Sequence, residues 1–233
     1  MSNPFYVAAT VIVPMVFAIV LHEIAHGWVA RLLGDPTAYE RGRLSLNPLK
    51  HVDPMGTLIL PGMLKLLGLP VFGWAKPVPV NYARLRSPKR DMAFVAAAGP
   101  LTNFMLAALA AVAFGLLLRQ LDPQGTPGPT MMFVVDNLKN FIAINVFLGT
   151  FNLLPLPPFD GSRIVRGIAP DAGVRLLDRI EPIGIPLFMA VFIVLPWLFP
   201  GLHIVDRVVG PPMEWMLNQF EHIVVLVAGP ELD

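Results

Sequence analysis

The stretch VIVPMVFAIVLHEIAHGWVARLL, residues 11–33, decides how the chain is read. It is apolar and long enough to cross a bilayer, which takes about 20 residues, yet its middle carries His22, Glu23 and His26. Each ionisable group at mid-helix costs about 2.5–3.5 kcal/mol on the insertion scale, so three together need a compensating interaction. On a helix, positions i and i+4 share one face, so His22 and His26 can bind one metal ion together. Glu23 stands beside them, placed to take a proton from a water that the metal activates. The bland alternative is a hydrogen-bonded polar cluster between helices.

Composition agrees with a membrane chain. Of the 233 residues, 55% are hydrophobic and 14% charged, with a mean hydropathy of +0.64; a soluble domain is about a quarter charged. The fold class expected is an all-α polytopic membrane protein. With no cysteine, any metal must be held by His, Asp, Glu or Asn. The start MSNPFY lacks a basic region, so no cleaved signal peptide is expected. A net charge of +1 gives no sign of a nucleic-acid partner.

Four runs are apolar enough to span: Phe5 to Leu33, Met92 to Leu118, Met131 to Leu156 and Ile183 to Phe199. Between the first two lies a further apolar run, Met55 to Phe72, broken by Pro61, Gly62, Lys65, Gly68 and Pro70. Those breakers argue against one straight helix. If this run stays on one side, the loops Arg31–Arg90 and Arg163–Arg179 share a side and carry fourteen Lys/Arg against three opposite. That is a strong positive-inside bias, so the run is expected to be re-entrant or interfacial, with a helical hairpin as the alternative. The tail Met213–Val227 is amphipathic and either lies in the interface plane or forms a short last span.

A catalytic zinc takes a third protein ligand. The third run ends in FNLLPLPPFDG (151–161), where Asp160 is the nearby carboxylate. It sits at the positively flanked end of its helix. His22 lies about 25 Å along the first helix from Phe5, near the positively flanked end of that one, so the groups match in depth. Pro155, Pro157 and Pro158 unwind the chain before Asp160. Asn152, just ahead of the break, can reach a substrate carbonyl or an oxyanion. In the second run, AAAGPLTNF (96–104) carries Gly99, Pro100 and Asn103, readable as helix-packing residues or as part of the site. The alternate prolines of FGWAKPVPVN (72–81) impose extended backbone whose edge could pair with a peptide. His51, in the basic loop near the mouth of the site, is a further possible ligand, but a lone loop histidine is usually solvated and it stays outside the expected site; His203 and His222 read as ordinary solvated histidines.

HEIAH in one span, AGPLTN in the next and NLLPLPPFDG two spans on together resemble the site-2 protease family, the intramembrane zinc metalloproteases. The likeness covers roughly residues 5–165. The linking pieces GDPTAYERGRLSLNPLKHVDPMGT and FGWAKPVPVN resemble the compact prokaryotic branch without a PDZ domain, and the linker Arg119 to Thr130 is too short to hold one. The resemblance implies His22, His26 and Asp160 as ligands of one Zn²⁺, Glu23 as general base and acid, and Asn103 and Asn152 near the substrate. It also implies a membrane-associated β-hairpin near Gly73–Asn81. Unlike the best-known members, no span precedes the HEIAH helix, which would place the N-terminus outside.

The expected protein is a single integral membrane domain over 1–233, with a catalytic core at about 5–165 and C-terminal membrane helices at about 182–229. Its function would be hydrolysis of peptide bonds within or near the bilayer. The expected partners are a single-span membrane protein or membrane-embedded peptide as substrate and the lipid bilayer, with no nucleic acid. The expected location is the plasma membrane of a prokaryote, with the active site toward the cytoplasm. Two rivals remain. A metal-binding or transport protein would need further acidic residues along the other spans, and none is counted. An inactive helix-binding scaffold would favour a closed four-ligand metal site.

Overall fold

Helices account for every regular element among the described residues, which are 3–69, 71–121 and 125–229 of a computed structural model. In chain order the α-helices, between which short 3-10 and π-helical turns occur, are α1 (Pro4–Leu32), α2 (Thr37–Glu40), α3 (Leu60–Leu66), α4 (Pro88–Leu118), α5 (Pro129–Asn152), α6 (Asp160–Ile168), α7 (Asp171–Ile180), α8 (Gly184–Met189), α9 (Leu195–Leu198), α10 (Ile204–Val208) and α11 (Gly210–Ala228). Among the described residues, four helical runs are long and apolar enough to cross a membrane: α1, α4, α5 and the stretch Asp171–Leu198. The third run stops at Asn152 rather than Leu156, because Pro155 cannot continue the helix. The fourth starts earlier than expected, at Asp171, although only its part from Ile183 is free of charge. The expected linker Arg119 to Thr130 is described except for residues 122–124.

α4 is the central helix and touches α1, α5, α6 and α11. It can do so because its inward positions are small: Ala96, Ala98, Gly99, Ala107, Ala110, Ala111 and Gly115 are all buried. In a lipid environment such positions let backbones approach and gain dispersion contacts. The tail helix α11 uses this surface, packing Phe220 and Val224 against Ala107, Ala111 and Phe114 of α4 and Ile142 of α5. A Cβ on Gly115 would stand 2.7 Å from the Val224 carbonyl oxygen. One face of α11 is therefore held by the bundle.

The run Met55 to Phe72 does not form one straight helix. A π-helical turn, Pro54–Ile59, leads into α3, and the two together reach only about 20 Å at 1.5 Å per residue, short of the ~30 Å hydrocarbon core. Gly68, at φ +69°, then reverses the chain; Pro70 lies outside the described residues. The return from Val71 to Asn81 is extended, as the prolines require, but no β-hairpin forms and no strand occurs among the described residues. Pro77 and Pro79 offer no N–H to a ladder, and several of the other main-chain groups bond elsewhere. The N–H of Trp74 donates to Gly56 O at 3.1 Å and that of Lys76 to His51 O at 2.8 Å. Thr57 Oγ1 donates to Trp74 O at 2.9 Å, and Arg43 donates to Lys76 O at 2.8 Å. The loop 43–57 thus clamps one edge of the extended segment.

Asp35 anchors the far end of that segment. Gly34, at φ +112°, ends α1 and turns Asp35 inward, where it is fully buried. It accepts from the Asn81 amide at 2.6 Å, the Thr37 amide at 3.0 Å and the Thr37 hydroxyl. Burial opposes its ionisation, but the Thr37 hydroxyl, the Asn81 and Thr37 amides and the Arg84 charge outweigh it and hold the carboxyl below its usual range. Asp35→Ala is expected to lower stability at pH 7 by about 1–3 kcal/mol for each amide left unpaired, read as the thermal unfolding midpoint in detergent. A depressed carboxyl pKa contributes stability that is complete above the unfolded value of about 3.9 and is lost as pH falls through the folded value. The gap between the two proteins should therefore close as the pH is taken below about 4.

Candidate active site

The i, i+4 spacing on α1 stacks the His22 and His26 rings edge to face, with centroids 4.6 Å apart. Their Nε2 atoms are 3.0 Å apart, and Asp160 Oδ2 lies 3.2 Å from each. All three residues are buried, and one ligand atom from each lies within 4.8 Å of the others. The opposite edges of the rings are engaged. His26 Nδ1 donates to Val95 O at 2.7 Å, since a carbonyl only accepts, and His22 Nδ1 lies 2.6 Å from Asn103 Oδ1. With the Nδ1 atoms so committed, the Nε2 lone pairs and a carboxylate oxygen converge on one point. Three acceptors that close repel one another unless a proton or a metal cation stands between them, and imidazole and carboxylate are suitable donors for zinc. No fourth His, Cys, Asp or Glu joins the group among the described residues, as befits an open rather than a closed site.

Two elements place the three ligands, α1 the histidines and α6 the aspartate. α4 passes so close to α1 that a Cβ on Gly99 would meet His22 Cε1 and His26 Nε2, each at 2.5 Å. Gly99→Ala is expected to push the imidazoles apart and weaken divalent-metal binding by about 10- to 100-fold, measured by chelator competition. Asp160 opens α6 after the unwound stretch Leu153–Phe159. Phe159, just before it, is buried against Phe151 at 4.7 Å and Phe188 at 5.2 Å between ring centroids. Gly161, just after it, lies against the carbonyls of Leu153 and Leu154, where no Cβ fits. The ligand is thus held between an aromatic cluster and a backbone contact. Arg163, one turn on, stands 3.7 Å from the other Asp160 oxygen, Oδ1. A cavity of about 230 Å³ opens beside it, lined by Pro157, Pro158, Ser162 and Glu181.

Glu23 is half-buried and accepts the Val78 N–H on Oε2 at 2.7 Å. Val78 belongs to the extended segment, two residues past the last clamped position. A backbone donor leaves no side-chain signature, so this partner was illegible in the sequence.

Asn103 differs from expectation. Asn103 is fully buried, with Oδ1 on His22 and Nδ2 donating to Asn145 Oδ1 at 2.8 Å and to Ala18 O at 3.4 Å. Neither end of its amide is left for a substrate, so its place near the substrate is replaced by one behind a ligand. Asn152, the last residue of α5, is half-buried and donates back to Leu148 O at 2.9 Å. His51 is not solvated: it is 3% exposed, with Nε2 on Ser45 O at 2.9 Å. His203 and His222 are exposed, as expected. The count of acids in the other spans missed Asp136, near the start of α5, which accepts from the Tyr6 hydroxyl at 2.8 Å. It is paired there, about 24 Å along the helix from Asn152.

Comparison with known proteins is consistent with this geometry. The model of "Peptidase family M50" matches residues 115–195, which include Asp160 but not HEIAH. "Putative zinc metalloprotease YwhC" of Bacillus subtilis is 34% identical over 196 residues, covering 82% of this chain and 83% of its own. "Putative zinc metalloprotease Rip2" of Mycolicibacterium smegmatis is 32% identical over 152 residues, covering 65% of this chain and 54% of its own. "Putative zinc metalloprotease MJ0611" of Methanocaldococcus jannaschii is 34% identical over 150 residues, covering 63% of this chain and 64% of its own. No solved structure gave a significant match. Likeness of this extent to the Bacillus protein, running over four fifths of both chains, decides the kinship: the chain belongs to Peptidase family M50, the site-2 protease family, and is a membrane metallopeptidase with Zn²⁺ as its cofactor.

Proposed function

We propose that the protein hydrolyses peptide bonds within or near the bilayer, in single-span proteins or their clipped remnants. His22, His26 and Asp160 hold the metal, and Glu23 is the general base and then the general acid. The observation that carries this reading is the convergence of three buried donors within 4.8 Å, two of them on α1, a helix long and apolar enough to span, and the third at the start of the short helix α6. Bound zinc supplies a Lewis acid that polarises water and the scissile carbonyl. Val78 N–H anchors one oxygen of Glu23, so the carboxylate is aimed before substrate arrives and its second oxygen can carry the proton. Glu23 takes that proton from water and later delivers it to the leaving amine. Asn152 can turn its amide off Leu148 O to meet the oxyanion.

The substrate must be unwound where it is cut, because helical carbonyls are already bonded and shielded. Residues 54–69 and 71–81 dip toward the site as a re-entrant piece, since irregular backbone survives at depth only against protein or water. The excess of Lys and Arg in the loops on one side supports a site toward the cytoplasm, in the plasma membrane of a prokaryote. Residues of about 5–165 form the catalytic core, and about 182–229 supply further membrane helices.

The test is chelation. Removing zinc from the purified protein with 1,10-phenanthroline should abolish cleavage of a single-span test protein with a Gly/Pro-weakened apolar segment, and returned zinc should restore it. Undiminished cleavage by protein shown to be zinc-free would sink the reading.

A further inference from the structure

The sequence reading assigned no role to Asn145. It sits on α5 in the run NFIAINVF (140–147), where an Asn passes for ordinary helix-packing glue. It is fully buried, and its two amide ends face different partners. Nδ2 donates to Phe141 O at 2.8 Å, and Oδ1 accepts from Asn103 Nδ2 at 2.8 Å. A backbone carbonyl in a helix can only accept. Phe141 O therefore decides which end of the Asn145 amide is nitrogen and leaves its oxygen facing Asn103. That oxygen, with Ala18 O at 3.4 Å, draws the NH₂ end of Asn103 and leaves Asn103 Oδ1 facing His22, 2.6 Å from Nδ1. An oxygen there requires a proton on Nδ1 and leaves the lone pair on Nε2, the atom 3.2 Å from Asp160.

We propose that Asn145 is a positioning residue for the metal site: through Asn103 it passes the polarity of a backbone carbonyl on α5 to His22 on α1 and fixes the ring in its metal-binding tautomer. His26 reaches the same tautomer in one step, from Val95 O. His22 has no such carbonyl, and the two-amide relay takes its place. Without the acceptor on Asn145, only the longer contact to Ala18 O, at 3.4 Å, opposes a flip of the Asn103 amide. A flipped Asn103 offers NH₂ to Nδ1, favours the Nε2–H tautomer and sets a proton where the metal belongs. The relay also ties α1, α4 and α5 together through buried amides, so metal affinity depends on a residue that touches neither metal nor substrate.

This inference rests on the proposed ligand set and not on proteolysis, so it is tested by zinc binding in the full-length protein in detergent. Asn145→Leu keeps the bulk and removes the acceptor. Asn145→Asp keeps an oxygen facing Asn103 in either protonation state. Zinc affinity by chelator competition should fall by about 10- to 100-fold in the Leu variant and stay within about threefold of wild type in the Asp variant. Equal losses in both would reduce Asn145 to packing, and an unchanged Leu variant would remove it from the site; either overturns the relay. Should the Leu variant not fold, the wild-type protein still decides. Imidazole ¹⁵N shifts of His22 in metal-free protein at high pH should report the Nδ1–H tautomer, and an Nε2–H signal would overturn the proposal. Wild type that binds zinc but cuts nothing would refute the protease reading and leave the relay standing.

Discussion

Glu23→Gln protein is expected to retain one zinc per chain and to cleave its substrate about 10²- to 10⁴-fold more slowly than wild type, the range typical of a lost general acid–base. The substitution is nearly isosteric. Its amide oxygen can still accept the Val78 N–H that holds Glu23 Oε2 at 2.7 Å, so the side chain keeps its place. It loses the ability to take a proton at neutral pH. The three donors of the metal group do not include Glu23, hence the expectation of unchanged zinc. Elemental analysis and an initial-rate assay on the same preparation check both halves. Zinc loss would mean that Glu23 is a ligand. An unchanged rate would mean that the base lies elsewhere or that the chain uses its metal for another purpose, as a transporter would.

Asp160→Ala is expected to release zinc during purification and to abolish cleavage, with zinc in excess restoring little. Two imidazoles alone fall short of the three protein ligands a catalytic zinc takes. The lost carboxylate is also the only negative charge among the three donors. The fold should survive, because Phe159 and Gly161 on either side carry the packing of this corner and Asp160 contributes little beyond the metal site and Arg163. Thermal unfolding of the metal-free forms should therefore give similar midpoints for wild type and variant. Full zinc occupancy in the variant would remove Asp160 from the ligand set.

The parts of this account that were legible in the sequence are those carried by side-chain identity and run length. Apolar runs marked the spans, and the i, i+4 pair placed His22 and His26 on one face. Charge bias put Asp160 at their depth. What stayed hidden depends on backbone and three-dimensional neighbours. The Val78 donor to Glu23 is a main-chain group, identical in every residue but proline. The hairpin expected at Gly73–Asn81 gave way to an edge clamped by Gly56, Thr57, His51 and Arg43, since alternate prolines specify extended backbone without specifying its partner. Asn103 was noticed but misplaced, because an amide near a site serves a substrate or a ligand equally well until its neighbours are known. His51 looked solvated in a basic loop, yet that loop folds over it.

The central claim is that zinc, held inside the membrane, serves to cut a chain that is itself in the membrane. Its most direct test reconstitutes the zinc-loaded protein in lipid nanodiscs with a single-span test protein whose apolar segment is weakened by Gly and Pro. Mass spectrometry then maps the new ends. The expected result is cleavage inside the apolar segment by wild type and none by Glu23→Gln. An intact substrate with fully zinc-loaded wild type, or new ends only in the soluble flanks, would contradict the claim.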